Sequence, residues 1–286
     1  MRYEIPTSVN DAVGLLAAGG AGARVMAGGT DLLVQLRSGI FEPDVVVDIK
    51  RIDETRTITE ENGGFRVGAA VAGAELNEHA SLPKVWPGVA EGFDLIGSVQ
   101  IQGRASLGGN LCNASPAADS VPALIAANAT CMIAGPNGTR ELAVEDVCTG
   151  PGKTSLGQGE FIVSFFLPAR PARSSDAYLR FIPRTEMDIA VVGAGVSLTL
   201  DEGGTCTDAR VALGAVAPTA RLVADCGAAL VGSKLDDAAL AALSAAASAA
   251  CNPINDKRGT IEYRTKVAGV MATRAAKIAY ARAKGE

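Results

Sequence analysis

Histidine is almost absent from this sequence of 286 residues, which contains only His79, and aromatic residues make up 4% of it. The six cysteines stand far apart, at positions 112, 131, 148, 206, 226 and 251, with no C-x-x-C among them. A zinc or iron–sulfur site needs clustered thiolates or imidazoles, so this spacing predicts reduced cysteines and no metal site. The single imidazole, beside Glu75 and Glu78, favours a solvated side chain over a catalytic base, and no catalytic triad is predicted.

An excess of basic charge and long apolar runs are also lacking. The net charge of −5 argues against a nucleic-acid-binding surface, which needs a basic patch. The longest apolar stretch, 238–250, is rich in alanine and interrupted by serine, so no membrane span is predicted. The N-terminal MRYEIPTSVNDAV lacks the apolar region of a secretory signal. We therefore expect a cytoplasmic protein.

The first fifty-odd residues have the pattern of a small βαβ-type unit with two helices. Ser8 and Asp11 form a capping box ahead of a helix with an apolar stripe. The short β-type stretch 24–26 leads into AGGTD, LLVQLR indicates a second helix, and 45–49 is typical of a buried strand.

The remaining chain divides at a proline- and charge-rich stretch, 168–175. Before it, short strands (65–70, 130–134 and 161–167) alternate with helices (73–80, 83–96 and one starting near residue 120). After it come strands at 177–182, 189–200 and 211–216, then helices at 219–231, 236–250 and 260–283. Strands followed by helices predict an α+β fold. We place the domains at 1–172, with subdomains 1–55 and 56–172, and at 173–286.

Two glycine motifs look like nucleotide-binding loops but fail as such. The GPGKT stretch, 150–154, ends like a Walker A loop, yet Val147 replaces its first glycine and no helix pattern follows. The GAG stretch, 193–195, lacks the third glycine of a Rossmann fingerprint and lies within an alternating strand pattern. A central strand of small residues explains it better.

Two other loops present bare backbone beside the start of a helix. One is AGGTDLL, 27–33, and the other is SLGGN, 106–110. Each alone is compatible with a turn plus a helix cap. Together, their N–H groups and short polar side chains suit a dinucleotide with a central pyrophosphate and a polyol arm.

The chain resembles the FAD-binding subunits of the molybdenum hydroxylases, the xanthine dehydrogenase and carbon monoxide dehydrogenase family. The resemblance extends over nearly the whole length and rests on five ordered motifs: AGGTDLLVQLR, SLGGNLCNASPAADSVPAL, GEFIVSFFLP, RFIPRTEMDIAVVGAGVSL and DKRGTIEYR. It implies a two-part FAD-binding domain of the vanillyl-alcohol-oxidase type. A C-terminal domain with a three-stranded antiparallel sheet and three helices would follow.

The resemblance also implies a set of cofactor-binding residues. The first loop would contact the pyrophosphate and adenosine half of FAD, through Ala27, Gly28, Gly29, Thr30, Asp31, Leu32 and Leu33. The second would bind pyrophosphate oxygens and the ribityl chain, through Ser106, Gly108, Gly109, Asn110, Asn113 and Asp119. Near the isoalloxazine ring would lie Ile96, Gly97, Leu156 and Ile162.

Two cations are candidates for tuning the flavin. Arg180 and Arg184 occupy the region where the family carries a basic residue, and a cation near the flavin N1 and O2 would stabilise the reduced ring. Two surface arginines are the simpler alternative. The chain departs from the family at Gln102, where a charge is missing, which puts contacts just upstream of SLGGN in doubt.

The function implied is electron transfer within a heterotrimer. A large molybdopterin subunit would oxidise the substrate, an N-heteroaromatic or an aldehyde. A small subunit with [2Fe–2S] clusters would pass the electrons to FAD in this chain, and from there to a terminal acceptor such as NAD⁺, dioxygen or a quinone. The alternative is a stand-alone flavin oxidoreductase resembling the enolpyruvyl-glucosamine reductases, which would need its own proton donor near the flavin. A non-enzymatic scaffold is a third possibility.

Overall fold

The computed structural model describes residues 1–286, and its three larger sheets follow one another along the chain. The first is a parallel sheet with the strand order β1-β3-β2. Its elements are β1 (Arg2–Glu4), α1 (Val9–Gly19), β2 (Ala23–Met26), α2 (Leu32–Arg37) and β3 (Val45–Asp48). The predicted βαβ-type unit is therefore present, with β1 as an additional strand.

Short sequence features explain why this unit forms. The backbone N–H of Asp11 donates to Ser8 Oγ at 3.1 Å, so Ser8 caps α1 as its sequence predicts. The three valines of β3 are buried because this strand lies between the other two. Strand β2 lies at the edge of the sheet, which leaves one side of it free for other contacts.

The second sheet is antiparallel and has the order β4-β5-β10-β6-β7. Its strands are β4 (Ile58–Glu61), β5 (Gly64–Gly68), β6 (Thr130–Gly135), β7 (Gly138–Ala143) and, after a small hairpin of β8 (Cys148–Gly150) and β9 (Lys153–Thr154), β10 (Phe161–Leu167). The hairpin contains the GPGKT stretch, so this motif is a turn between two strands. No helix follows these glycines, so the stretch is not a Walker A loop, in agreement with the prediction.

Six short helices lie between β5 and β6. They are α3 (Gly73–Asn77), α4 (Leu82–Val85), α5 (Pro87–Asp94), α6 (Val99–Gln102), α7 (Leu107–Cys112) and α8 (Ser120–Ala126). The single helix predicted over 83–96 is divided into α4 and α5. Pro87 has no N–H to continue the helix from α4, and it begins α5 instead.

The third sheet is antiparallel, with the order β11-β12-β13-β14, and carries three helices. The elements are β11 (Ser174–Phe181), β12 (Val192–Leu200), β13 (Cys206–Gly214), β14 (Arg221–Leu222), α9 (Ala224–Leu230), α10 (Asp237–Ala249) and α11 (Ile261–Lys284). The α+β class and the three helices are as predicted. The two-residue strand β14 is a difference, because the chain pairs with β13 before α9 begins.

Helix α8 packs directly on the small residues of β12 and β13. A Cβ atom on Gly195 would lie 2.6 Å from Pro122 O, and one on Gly214 would lie 2.7 Å from Pro122 Cγ. The GAG stretch is therefore a central strand, as predicted, and its small residues give room for a helix of the preceding part of the chain.

One residue of the proline-rich stretch, Arg170, is packed against other parts of the chain, although most of its neighbours in the stretch are exposed. The Arg170 guanidinium lies 3.8 Å from the centroid of the Trp86 ring and forms an ion pair with Asp176 at 2.8 Å. Both charged side chains are buried. The proposed boundary at 172/173 stays a prediction, but contacts of this kind bind the two parts of the chain together.

No helix of the structure combines the length and apolar composition that a membrane crossing requires.

The packing of α8 on β12 is testable by adding one methyl group. Gly195→Ala should lower the free energy of unfolding by about 1–3 kcal/mol, because the new Cβ meets backbone that cannot move aside. The measurement is the denaturant midpoint. The control Gly203→Ala adds the same group in an exposed turn and should have little effect. Equal stability of the two variants would contradict this account of the packing.

Candidate functional site

A cavity of about 510 Å³ lies between the first and second sheets. Its walls are the free edge of β2 with the loop after it, the start of α7, and the segment around Leu156 and β10. This volume is in the range of small-molecule and cofactor sites.

The loop that follows β2 is held by its glycines and by a lysine. A Cβ atom on Gly28 would lie 1.7 Å from Arg104 O, so only glycine permits this contact with the segment before α7. Gly29 has φ +78°. Lys50 Nζ donates to Ala27 O at 2.8 Å and pairs with Asp48 at 2.7 Å. The loop is therefore held by Lys50 and Arg104, neither of which lines the cavity.

Five consecutive backbone N–H groups in this loop have no acceptor within the chain: those of Gly28, Gly29, Thr30, Asp31 and Leu32. All five residues line the cavity. Asp31 occupies the cap position of α2 without accepting a side-chain cap hydrogen bond. Successive free N–H groups at a turn form a concave site for an anion.

The start of α7 faces this loop across the cavity. Ser106 Oγ accepts the N–H of Gly109 at 3.1 Å, which caps the helix. Gly108 donates to Ala69 O at 3.1 Å, and a Cβ on it would lie 2.7 Å from that oxygen. Gly108 therefore lets α7 press against the second sheet. A Cβ on Gly109 would meet only Ser106 Oγ, at 3.2 Å, so its missing side chain leaves space within the cavity.

Side-chain amides join the two loops. Asn113 Nδ2 donates to Asp31 Oδ1 at 3.3 Å, and Asn113 Oδ1 accepts from Gln35 Nε2 at 3.1 Å. Asn110 Oδ1 accepts from Ser120 Oγ at 2.7 Å, which leaves its amide N–H groups free. Burial raises the pKa of the Asp31 carboxyl above its usual range. These contacts hold the two loops at a fixed separation.

The structure brings most of the predicted cofactor residues to one cavity. The lining includes Ala27, Gly28, Gly29, Thr30, Asp31, Leu32, Ile96, Ser106, Gly108, Gly109, Asn110, Asn113, Leu156 and Ile162. Sequence reasoning missed several others, among them Arg24, Gln35, Phe41, Glu160 and Phe161. Gln35 lies one helical turn after Asp31, and Phe161 lies within the quoted GEFIV motif, so both carried a signal. Nothing in the sequence singled out Phe41.

Asp119 and Arg180 do not line the cavity, and their predicted roles at the flavin stay predictions. Arg180 Nη1 donates to Asp119 Oδ2 at 3.0 Å and to Leu95 O at 2.8 Å, and Tyr178 OH donates to Asp119 Oδ1 at 2.8 Å. Burial raises the pKa of Asp119 to about 6, although Arg180 and the Tyr178 hydroxyl oppose the rise. The strand alternation of β11 directs Tyr178 and Arg180 together toward α8.

Three further predicted residues also lie outside the lining. Arg184 is 69% exposed and forms two hydrogen bonds to the carboxylate of Asp188, at 2.8 and 2.7 Å. Gly97 has φ +65° in the turn after α5, where an added Cβ would lie 2.9 Å from Ile101 Cβ. Leu33 is half-exposed on α2. Gln102, the position at which the sequence departs from the family, is buried, and its amide donates to Asp94 O.

The titratable groups of the cavity do not form an acid–base pair. Glu160 forms an ion pair with Arg140 at 2.8 Å, and this partner lowers the pKa of the carboxyl. The imidazole of His79 lies elsewhere, where its Nδ1 accepts the N–H of Leu82 at 3.1 Å. The cavity can hold an anionic, extended ligand and exclude water from an apolar part of it.

The fold and the site define an α+β protein with a dinucleotide-binding cavity. Residues 1–170 match the family model described as "FAD binding domain in molybdopterin dehydrogenase", and residues 177–279 match "CO dehydrogenase flavoprotein C-terminal domain". The chain belongs to this family of FAD-binding subunits of molybdopterin-dependent dehydrogenases, as the sequence motifs predict, and its cofactor is FAD.

Individual relatives are similar over most of the chain. The carbon monoxide dehydrogenase medium chain of Afipia carboxidovorans is 35% identical over 99% of this chain and 97% of its own. The xanthine dehydrogenase FAD-binding subunit of Escherichia coli O157:H7 is 34% identical over 76% of this chain and 74% of its own.

Solved structures of other proteins have closely similar folds. A chain of the Cu,Mo-CO dehydrogenase has a TM-score of 0.95 at 34% identity, and one of quinoline 2-oxidoreductase from Pseudomonas putida 86 has 0.90 at 27%. Both matches cover 99% of this chain and 98% of the other.

The ion pair of Asp119 predicts a pH-dependent effect of removing its partner. The pKa of the Asp119 carboxyl is about 6 in the folded chain, above the ordinary 3.8. Ionisation of this buried group therefore lowers the free energy of unfolding as pH rises through that range, and the charge of Arg180 reduces the loss. Arg180→Met should therefore lower the free energy of unfolding by about 3–5 kcal/mol at pH 8 and by much less at pH 5.

The measurement is denaturant unfolding at both values of pH. Arg184→Met is the matched control, because its exposed guanidinium is screened by water and its loss should have little effect at pH 8. If Arg180→Met lowered the free energy of unfolding equally at pH 5 and pH 8, this explanation would be wrong.

Proposed function

We propose that the cavity binds FAD and that the chain is the electron-transfer subunit of a multi-subunit molybdenum-containing dehydrogenase. The observation that supports this most strongly is the row of five unpaired N–H groups facing the start of α7. A turn that only connected β2 to α2 would have no need to leave five donors unused on a cavity wall.

The residues present fit FAD. The pyrophosphate would lie on the N–H groups of residues 28–32, because these donors need no charge to hold an anion and are already in place. Ser106 and the free amide of Asn110 would contact the pyrophosphate and the ribityl hydroxyls, next to the space left by Gly109. Hydrogen bonds to charged groups contribute roughly 1.5–3 kcal/mol each, so a few such donors dominate affinity.

The isoalloxazine ring would lie at the part of the cavity lined by Ile96. When bound, FAD supplies a two-electron carrier that also passes single electrons. The segment that carries Ile96 is fixed, because Arg180 donates to the carbonyl of the preceding Leu95. We therefore assign Arg180 a positioning role toward this segment.

Both carboxyl groups of the lining have partners and no imidazole lines the cavity, which favours electron transfer over a stand-alone reductase. A substrate-reducing flavoenzyme would need an acid beside the ring. The acidic side chains of the lining are Asp31, which interacts with Asn113, and Glu160, which is ion-paired. An electron-transferring flavin needs only a suitable position relative to its electron donor and acceptor and a suitable reduction potential.

The proposed partners are a small subunit with [2Fe–2S] clusters and a large molybdopterin subunit. Relatives named as medium chains, and one named as a subunit of a 6-hydroxypseudooxynicotine dehydrogenase complex, support such an assembly. Electrons would arrive from the iron–sulfur subunit and leave to a terminal acceptor. We also propose a cytoplasmic location, which the six free thiols favour.

Loss of the space at Gly109 should remove the cofactor. Gly109→Val places a branched side chain in the cavity, so the purified variant should lack the flavin absorbance near ~450 nm that the wild-type chain shows once FAD is added. Thermal unfolding should confirm that the fold is retained.

Gly14→Val is the control, because it adds the same side chain at an open, exposed position of α1. Normal flavin content in Gly109→Val would count against the site. A wild-type chain that never takes up FAD would reject the proposed function altogether.

Co-expression tests the assembly. The chain, expressed together with its candidate small and large partners, should be recovered in one complex that contains flavin, iron and molybdenum, and the chain alone should not turn over substrate. Absorbance and metal analysis of the purified complex provide the measurement. A flavin-loaded monomer that oxidises or reduces a substrate unaided would favour the stand-alone enzyme instead.

A further inference from the structure

Helix α5 receives its N-terminal cap from a distant part of the chain. Trp86 occupies the cap position and offers no side-chain acceptor. Instead, the carboxylate of Asp176, on strand β11, accepts the N–H of Val89 at 3.2 Å, and the N–H of Gly88 also interacts with it. These are the second and third residues of the helix, whose N–H groups an ordinary N-cap side chain would satisfy. Asp176 therefore acts as the N-cap residue of α5.

The same strand holds the other end of the helix. Arg180 Nη1 donates at 2.8 Å to the carbonyl of Leu95, the residue at the C-terminal cap position of α5. The acidic side chain of Asp176 thus lies at the N-terminus and the basic side chain of Arg180 at the C-terminus, as the helix dipole favours. The lengths also match. The four-residue step from 176 to 180 spans about 13 Å of strand, and the eight residues of α5 span about 12 Å.

Glu91 attaches the middle of α5 to the free edge of β11. Its carboxylate accepts the N–H of Tyr178 at 2.9 Å, and it pairs with Arg282 of α11, which also donates to Asp176 O at 2.9 Å. Because β11 is an edge strand of the third sheet, these contacts satisfy backbone groups that have no partner strand. Helix α5 is therefore attached to the C-terminal sheet at three points.

The N-terminus of α5 lies so close to β11 that residue 88 has no room for a side chain. A Cβ atom on Gly88 would lie 2.6 Å from Asp176 Oδ2 and 2.8 Å from the backbone nitrogen of Ala177. The buried guanidinium of Arg170, which lies over the Trp86 ring, forms an ion pair with the same carboxylate. Sterics and charge together determine where this end of the helix lies.

The other end of α5 leads directly into the cavity wall, because Leu95 is followed by the lining residue Ile96. We propose that Asp176 is a positioning residue of the flavin site: it fixes the N-terminus of α5 and thereby places the cavity wall at Ile96. This inference rests on the proposed function. It complements the role of Arg180, since the two side chains hold opposite ends of one helix.

The charge of Asp176 is subject to pH. Burial raises the pKa of this carboxyl to about 6, and the charge of Glu91 adds to the rise, whereas Arg170 and the backbone N–H groups of α5 oppose it. Arg282, which pairs with Glu91, is the other charged group that faces it. Below pH 6 the carboxyl is neutral, so it no longer attracts the helix N-terminus and Arg170 loses its counter-ion. The position of α5 should therefore respond to pH.

The first experiment displaces the helix end without changing any charge. The flavin-free full chain is titrated with FAD, and binding is followed by the quenching of flavin fluorescence. Gly88→Ala should weaken FAD binding roughly 3- to 30-fold. Gly227→Ala is the matched control: its Cβ would lie 2.3 Å from Ala209 O, where α9 packs on β13, so it strains the C-terminal sheet away from α5. It should leave the FAD affinity unchanged, and equal affinities of the two variants would overturn the inference.

The second experiment removes the charge without adding a heavy atom. At pH 8, Asp176→Asn should bind FAD more weakly than the wild type by a similar factor, and at pH 5 the two should differ little. Trp86, the only tryptophan, reports on the site because its ring contacts Arg170. Its emission should change with a midpoint near pH 6 in the wild type and should not do so in Asp176→Asn. This signal separates Asp176 from Asp119, which titrates in the same range.

A double variant separates positioning from stability. Arg170→Met combined with Asp176→Asn leaves no buried charge unpaired, so the free energy of unfolding should recover relative to Asp176→Asn while FAD binding stays weak. Wild-type FAD affinity in Asp176→Asn at pH 8, a retained pH response of Trp86 in that variant, or restored FAD affinity in the double variant would each refute the assignment. Failure of the wild-type chain to bind FAD would instead reject the proposed function, so the two failures are distinguishable.

Discussion

The buried ion pair between Asp119 and Arg180 is the interaction on which the geometry of this protein depends most. A carboxylate without water is costly unless a cation and hydrogen-bond donors surround it, and here all of them come from one strand of the C-terminal sheet. The same guanidinium holds the carbonyl of Leu95, beside the cavity residue Ile96. The C-terminal part of the chain therefore adds no residue to the cavity lining, yet it fixes a segment that forms one wall.

Glycines act in two different ways around the cavity. At Gly28 and Gly108 the missing side chain allows backbone to contact backbone, which brings the two loops and the second sheet together. At Gly109 it leaves space for a ligand. The Asn113 bridge between Asp31 and Gln35 then sets the separation of the loops. Preorganisation of this kind lowers the entropy cost of holding a long, flexible dinucleotide.

Strands and helices with strong patterns were predictable, and weakly patterned ones were not. The predicted strands at 130–134 and 161–167 are buried and apolar, and the structure has them as β6 and β10. The two edge strands of the same sheet, β4 and β7, were missed, because edge strands face water and carry polar residues such as Glu60 and Glu141. The small residues 193–195 were predicted as a central strand, as the structure has them, but only the position of Pro122 explains why residue 195 is glycine.

The sequence by itself determined the α+β class, the family and the two glycine loops, because these depend on local periodicity and on short contiguous motifs. Only the tertiary structure decided which polar residues face the cavity. Asp119 and Arg180 carry the same chemistry as a ligand-binding pair, but burial at the contact between the two parts of the chain makes them partners of each other. Arg24 and Phe41 are seventeen residues apart and unremarkable in sequence. They meet because the connection after α2 returns beside the start of β2, and such a contact has no local signature.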